Sequence, residues 1–120
     1  MWELEWTPEA EMQYYDILSY WTNHNKSNSY SIKIMNEVEK SEDLLIYNPF
    51  IGQEHYLSTP YFKIRSLLVL KNFSIIYRIT DRIEILSFWD NRNDPTKLER
   101  LTLWMYLQIM KKLKKLLKML

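Results

Sequence analysis

Three apolar runs separated by two-residue breaks constrain this chain more than any other feature. Residues 61–70, 73–80 and 83–89 are rich in Ile, Leu, Val, Phe and Tyr, and Lys71-Asn72 and Asp81-Arg82 stand between them. β-Branched and aromatic runs joined this tightly predict an antiparallel meander of two hairpins. Two-residue turns then set the pairing. Leu70 faces Phe73, Leu68 faces Ile75 and Ser66 faces Tyr77; in the second hairpin Tyr77 faces Leu86 and Ile75 faces Phe88. That face is nearly all apolar and needs a cover. The other face is expected to carry Lys63, Arg65, Leu67, Val69, Arg78 and Trp89, among others.

The cover is written upstream. Residues 1–6 alternate polar and apolar, which reads as a short strand. Thr7-Pro8 is a helix start, since Thr can cap and Pro suits the first helical position. Glu9 and Glu11 then sit where the helix dipole favours acids. Ala10, Tyr14, Ile17, Leu18 and Trp21 recur at helical spacing, so helix one runs to about residue 23. A polar connector follows. Tyr30, Ile34, Val38 and Leu45 mark the buried stripe of a second helix starting near Ser29, and Asn48-Pro49 ends it. The pair forms an αα-hairpin. Residues 48–60 read as a loop containing Gly52, Glu54 and His55.

Residues 97–120 are of another kind. Leu98, Leu101, Met105, Ile109, Leu113, Leu116 and Leu120 recur every three or four residues, so they predict a helix about 36 Å long. The expected organisation is therefore a domain over residues 1–96 and a basic amphipathic helix over 97–120. The fold class is α+β: an N-terminal strand, an αα-hairpin, an antiparallel meander, then the C-terminal helix.

Charge is segregated. Residues 1–60 carry a net −7, residues 61–96 a net +2 and residues 97–120 a net +6. The tail is expected to bury one stripe on the body and expose its lysines. A helix facing a partner protein or an anionic membrane is the less favoured reading, and a membrane is not expected among the partners. The chain has no cysteine and two histidines, which excludes a disulfide scaffold, an iron–sulfur site and a thiolate zinc site. No cofactor or metal is expected. No basic-then-apolar leader and no run of 18 apolar residues stands in the sequence, so a cytoplasmic protein is expected.

The inferred pairing sets Arg65 opposite Arg78, a like-charge pair that a sheet built for stability avoids. A phosphate on that face would relieve the repulsion. Arg92 leaves the last strand at one rim, and Trp89 offers a ring for a base to stack on. Metal-free phosphodiester cleavage also needs a base and an acid. Only Glu54 and His55, in the loop before the sheet, are within conceivable reach. No Ser-His-Asp order, HExxH, Walker A or GxGxxG motif occurs.

The run Lys71-Asn72-Phe73-Ser74-Ile75-Ile76-Tyr77-Arg78-Ile79 resembles the central hairpin of RelE/ParE toxins. Residues 83–95 resemble their last strand and Arg-containing exit, and Trp6-Thr7-Pro8-Glu9-Ala10 and Asn48-Pro49 fit their opening and loop. The resemblance covers about residues 1–98. It implies the toxin of a type II toxin–antitoxin system, with a cognate antitoxin as partner and a toxin–antitoxin hetero-oligomer as its resting form. RelE-like members cleave mRNA on the ribosome, whereas ParE-like members poison DNA gyrase without cutting RNA. Arg65 and Arg92 fall where RelE-like toxins keep basic residues on the second strand and after the last one. Ser74 stands where several cleaving members have another Arg, and near Leu98 their usual Tyr or His is missing. The first reading is ribosome-dependent mRNA cleavage, with Arg65 and Arg92 catalytic and Lys63, Lys71, Arg78 and Trp89 holding RNA. The alternatives are a non-enzymatic gyrase inhibitor and an inactive, antitoxin-binding member.

Overall fold

A computed structural model describes residues 1–60 and 62–120. Tyr61, expected at the start of a strand, lies outside the described residues. The elements run β1 (Leu4–Trp6), α1 (Pro8–Asn25), α2 (Ser29–Tyr47), a 3-10 turn (Pro49–Ile51), β2 (Gln53–Glu54), β3 (Arg65–Val69), β4 (Phe73–Ile79), β5 (Ile83–Asp90) and α3 (Pro95–Met119). The α+β architecture is the expected one.

Local chemistry starts and stops the helices. Thr7 Oγ1 accepts from the Ala10 N–H at 3.2 Å, Pro8 fills the first position, and Glu9 and Glu11 follow in the first turn. Lys26 ends α1 in the left-handed conformation, its N–H bonded back to Thr22 O. Ser31 Oγ donates to Leu18 O at 2.7 Å and ties α2 to α1. Ile34, Val38 and Leu45 form the buried stripe of α2, as read, while Tyr30 is only partly buried.

The sheet has the order β1-β5-β4-β3-β2. β1 runs parallel to β5, and the remaining pairs are antiparallel. Among the described residues no strand lies beside the outer edge of β5 beyond Ile85. There Gln13 of α1 substitutes: its Oε1 accepts from the Phe88 N–H at 2.9 Å and from Ser87 Oγ at 2.8 Å. Helices α1 and α2 cover one face over a core of Ile34, Val38, Leu45, Phe73, Ile75, Tyr77, Ile85 and Phe88. The start of α3 covers the other face over Phe62, Ile64, Ile76, Leu86, Leu98 and Met105.

The first hairpin corrects the expected register. Val69 pairs with Phe73 and Arg65 with Tyr77, one residue away from the pairing that a two-residue turn would give. The connection is three residues, 70–72, with Leu70 at φ 51° and Lys71 at φ 65°. A two-residue turn of type I′ also needs positive φ twice and is served best by Asn-Gly, which Lys71-Asn72 is not. The slip turns every β3 side chain over. Val69 becomes 2% exposed and joins the core, and Leu68 becomes 60% exposed. In the second hairpin the turn is also three residues, so Tyr77 pairs with Ile85 instead of Leu86. A bulge at Ile76/Tyr77 then restores the expected Ile75–Phe88 pair. Leu86 consequently packs on the α3 side, not under α1 and α2.

Candidate functional site

The corrected register dissolves the expected arginine pair. Arg65 is opposite Tyr77, on the α1–α2 face, while Arg78 is opposite Glu84 and sits over the Phe62 ring on the α3 face. Arg65 Nη1 donates to Gly52 O at 2.7 Å and to Phe50 O at 3.4 Å, and its guanidinium lies 5.4 Å from the Phe50 ring centre. It fastens the 3-10 turn and β2 to the sheet. Arg78 Nε donates to Glu84 Oε2 at 2.8 Å, with both side chains about four-fifths covered. The cross-strand partner of Arg78 is thus an acid, the stabilising arrangement.

Arg92 is held in a fork. Its Nε and Nη2 donate to the two Asp90 oxygens at 2.9 and 2.8 Å. The guanidinium rests 5.0 Å from the Trp21 ring and 5.6 Å from Phe73. Burial works against the Asp90 charge, but the bonds from the Arg92 side chain and backbone N–H outweigh it and hold that carboxyl below its ordinary range. A lowered carboxylate stabilises the fold fully above its unfolded value, near 3.9, and loses that contribution as pH falls through the lower folded value. Denaturant midpoints of the wild type and Asp90→Asn are therefore expected to differ at pH 7 and to converge only as pH falls through that lower folded value. Equal midpoints at pH 7 would remove the Asp90–Arg92 fork from the stabilising contacts.

The two residues expected to be catalytic are also far apart. Arg65 stands opposite Tyr77 and Asp90 opposite Phe73, so their positions are separated by four residues of β4, about 13 Å along the strand. Lys63 Nζ is 3.0 Å from Glu54 Oε1, in an exposed pair. The Lys63 hydrogen bond and charge hold Glu54 below its ordinary value. Lys71 is exposed at the tip of the first hairpin, and Trp89 is partly buried against the α3-side core. Burial pushes His55 below its ordinary value, and its Nδ1 accepts from the Leu57 N–H at 3.2 Å.

Sequence reasoning missed Asp90 and Glu84 as the partners of two arginines, and Gly52 as an anchor. The Asp90-x-Arg92 spacing at a strand end is a readable signal for the first. The second needed the true turn length. A further surface also escaped it. Leu44, Tyr47, Phe50 and Ile51 are all exposed, along the end of α2 and the 3-10 turn, with Arg65 against Phe50. Among the described residues no three His, Asp or Glu side chains come together. Among the described residues no helix is long and apolar enough to cross a membrane.

A chain in the solved structure of the chromosomal ParDE TA system from P. aeruginosa shares this fold, with a TM-score of 0.61 and 20% sequence identity. The match covers 75% of this chain and 96% of that one. No curated protein matches the sequence. The family model for the ParE toxin of the type II toxin–antitoxin system parDE matches residues 4–95, and the chain belongs to that family. Membership implies a cognate antitoxin as partner. The match ends at Pro95, the first residue of α3.

Proposed function

We propose that this toxin arrests growth by binding DNA gyrase and not by cutting mRNA. The observation that carries this reading is the disposition of the arginines. Arg65 bonds to backbone carbonyls, Arg78 to Glu84 and Arg92 to Asp90, on two faces and at two ends of the sheet. Phosphoryl chemistry needs cations converging on one phosphate. The candidate acid and base serve elsewhere, Glu54 in a pair with Lys63 and His55 as a half-buried acceptor from the Leu57 N–H, its pKa lowered by burial. Residues 1–96 also carry a net −5, a poor match for ribosomal RNA. The exposed Leu44, Tyr47, Phe50 and Ile51 surface beside Arg65 has the aromatic and arginine content of a protein-binding patch.

The test is induction without antitoxin, with methionine and thymidine incorporation followed in parallel. Thymidine incorporation is expected to collapse first, with mRNA intact and purified gyrase losing supercoiling activity in the toxin's presence. Early loss of methionine incorporation with cleaved mRNA would return the ribonuclease reading. Growth without arrest would leave the inactive, antitoxin-binding member.

A further inference from the structure

The distal half of α3 carries an apolar face that the body does not cover. Leu98, Thr102 and Met105 are buried, but from Lys111 onward every residue is exposed. Leu113 is 47%, Leu116 60% and Leu117 62% exposed. The stripe was expected to lie on the body throughout; instead a groove opens between Ile109, Leu113 and Leu116 on the helix and Pro8, Leu86, Glu5, Glu9 and Glu84 on the body.

The two faces of this segment are sharply divided. At about 100° per residue, Ile109, Met110, Leu113, Leu116, Leu117 and Leu120 fall within an arc of roughly 120°. Lys111, Lys112, Lys114, Lys115 and Lys118 share the rest with Gln108 and Met119, and Lys112 and Lys114 flank the apolar arc. Residues 100–120 contain no Asp or Glu, and none of these five lysines pairs with a carboxylate among the described residues.

We propose that residues 108–120 of α3 lie on an anionic lipid bilayer, the leucine face at the headgroup–acyl boundary and the lysines on lipid phosphates. A bilayer surface offers an apolar layer and a layer of phosphates, one for each face. A nucleic acid would neutralise the lysines and leave the leucines in water. A second copy would cover the leucines and bring two sets of five lysines together, with no acid on either segment to offset them. The net −5 of residues 1–96 keeps the body off an anionic surface, so contact falls to the helix. The segment lies outside the toxin-family match, so the inference stands apart from the choice of toxic target.

The experiment is vesicle flotation of the full chain. Vesicles of phosphatidylcholine alone are compared with phosphatidylcholine–phosphatidylglycerol mixtures. Binding is expected to be at least about tenfold greater on the anionic vesicles and to fall as salt rises. Leu113→Asp with Leu116→Asp is expected to abolish it while the thermal melt stays unchanged, since both side chains are exposed. Replacing the five lysines by Gln, which leaves the leucine face intact, is expected to remove the preference for anionic lipid. The proposal is overturned if neither vesicle binds, if the double Asp variant still floats, or if the Gln variant keeps the preference. It is equally overturned if sedimentation in lipid-free buffer shows a dimer that the double Asp variant dissolves.

Discussion

Phe88→Ala is expected to lower the unfolding free energy by about 3–5 kcal/mol, the range for removing a fully buried aromatic ring. Phe88 is 1% exposed and sits where three elements meet. Its ring stacks on Phe73 at 5.5 Å, meets Tyr14 of α1 edge-on at 5.1 Å and lies 6.2 Å from Trp6 of β1. No neighbouring side chain is placed to fill the space alone, because the surrounding rings are themselves fixed by β4, α1 and β1. Aromatic pair geometry adds to the burial. For a domain of this size the melting midpoint should fall by more than about 10 °C. Phe88→Leu, which keeps most of the volume, should recover more than half of the loss. A melt of the Ala variant indistinguishable from the wild type would mean that the hairpin helices are not held to the sheet through this ring.

Gly52→Ala is expected to cost about 2–3 kcal/mol despite adding only a methyl group. The backbone at Gly52 is extended, with φ −71°, so conformational freedom is not the reason for glycine here. Space is. A methyl at this position would stand 2.8 Å from the Ser66 carbonyl oxygen and press on the Tyr77 ring. The carbonyl belongs to the β3 backbone and cannot swing aside. Tyr77 cannot yield cheaply either: its hydroxyl donates to Pro49 O at 2.6 Å and accepts from the Gly52 N–H at 3.0 Å, in a buried position. Tyr77→Phe should cost about 1–2 kcal/mol by leaving those two backbone groups without a partner. If the clash and the hydroxyl act on one anchor, the Gly52→Ala, Tyr77→Phe double variant should lose less than the sum of the two. Strict additivity in denaturant titrations would separate them.

The helices were legible because their signals are local. Thr7-Pro8, the acids after it and Asn48-Pro49 act within one or two turns, and the apolar stripe of α2 has a period that survives any tertiary detail. The strands were legible as segments, for the same reason. Their pairing was not. One extra residue in a turn decides which face Arg65 occupies, and nothing in Leu70-Lys71-Asn72 announces that Leu70 leaves the strand with positive φ. β2 escaped because two residues carry no period at all. The arginines were found by type but not by role. Arg78 meets Glu84 only once the turn at residues 80–82 is known to be three residues long, whereas Asp90 and Arg92 are near enough in sequence to have been paired from the start.

The way the sheet is closed bears on what happens to a toxin that is temporarily alone. An edge strand is a template for pairing with any other chain, including a nascent or unfolded one. Here the outermost strands, β1 and β2, are three and two residues long. The Gln13 side chain occupies the Phe88 N–H on the stretch of β5 that β1 leaves bare. Among the described residues, β2 pairs with Arg65 and Ser66 and leaves residues 67–69 of β3 without a strand on that side. A toxin free of its antitoxin therefore offers, among the described residues, little open sheet edge from which another chain could start to pair.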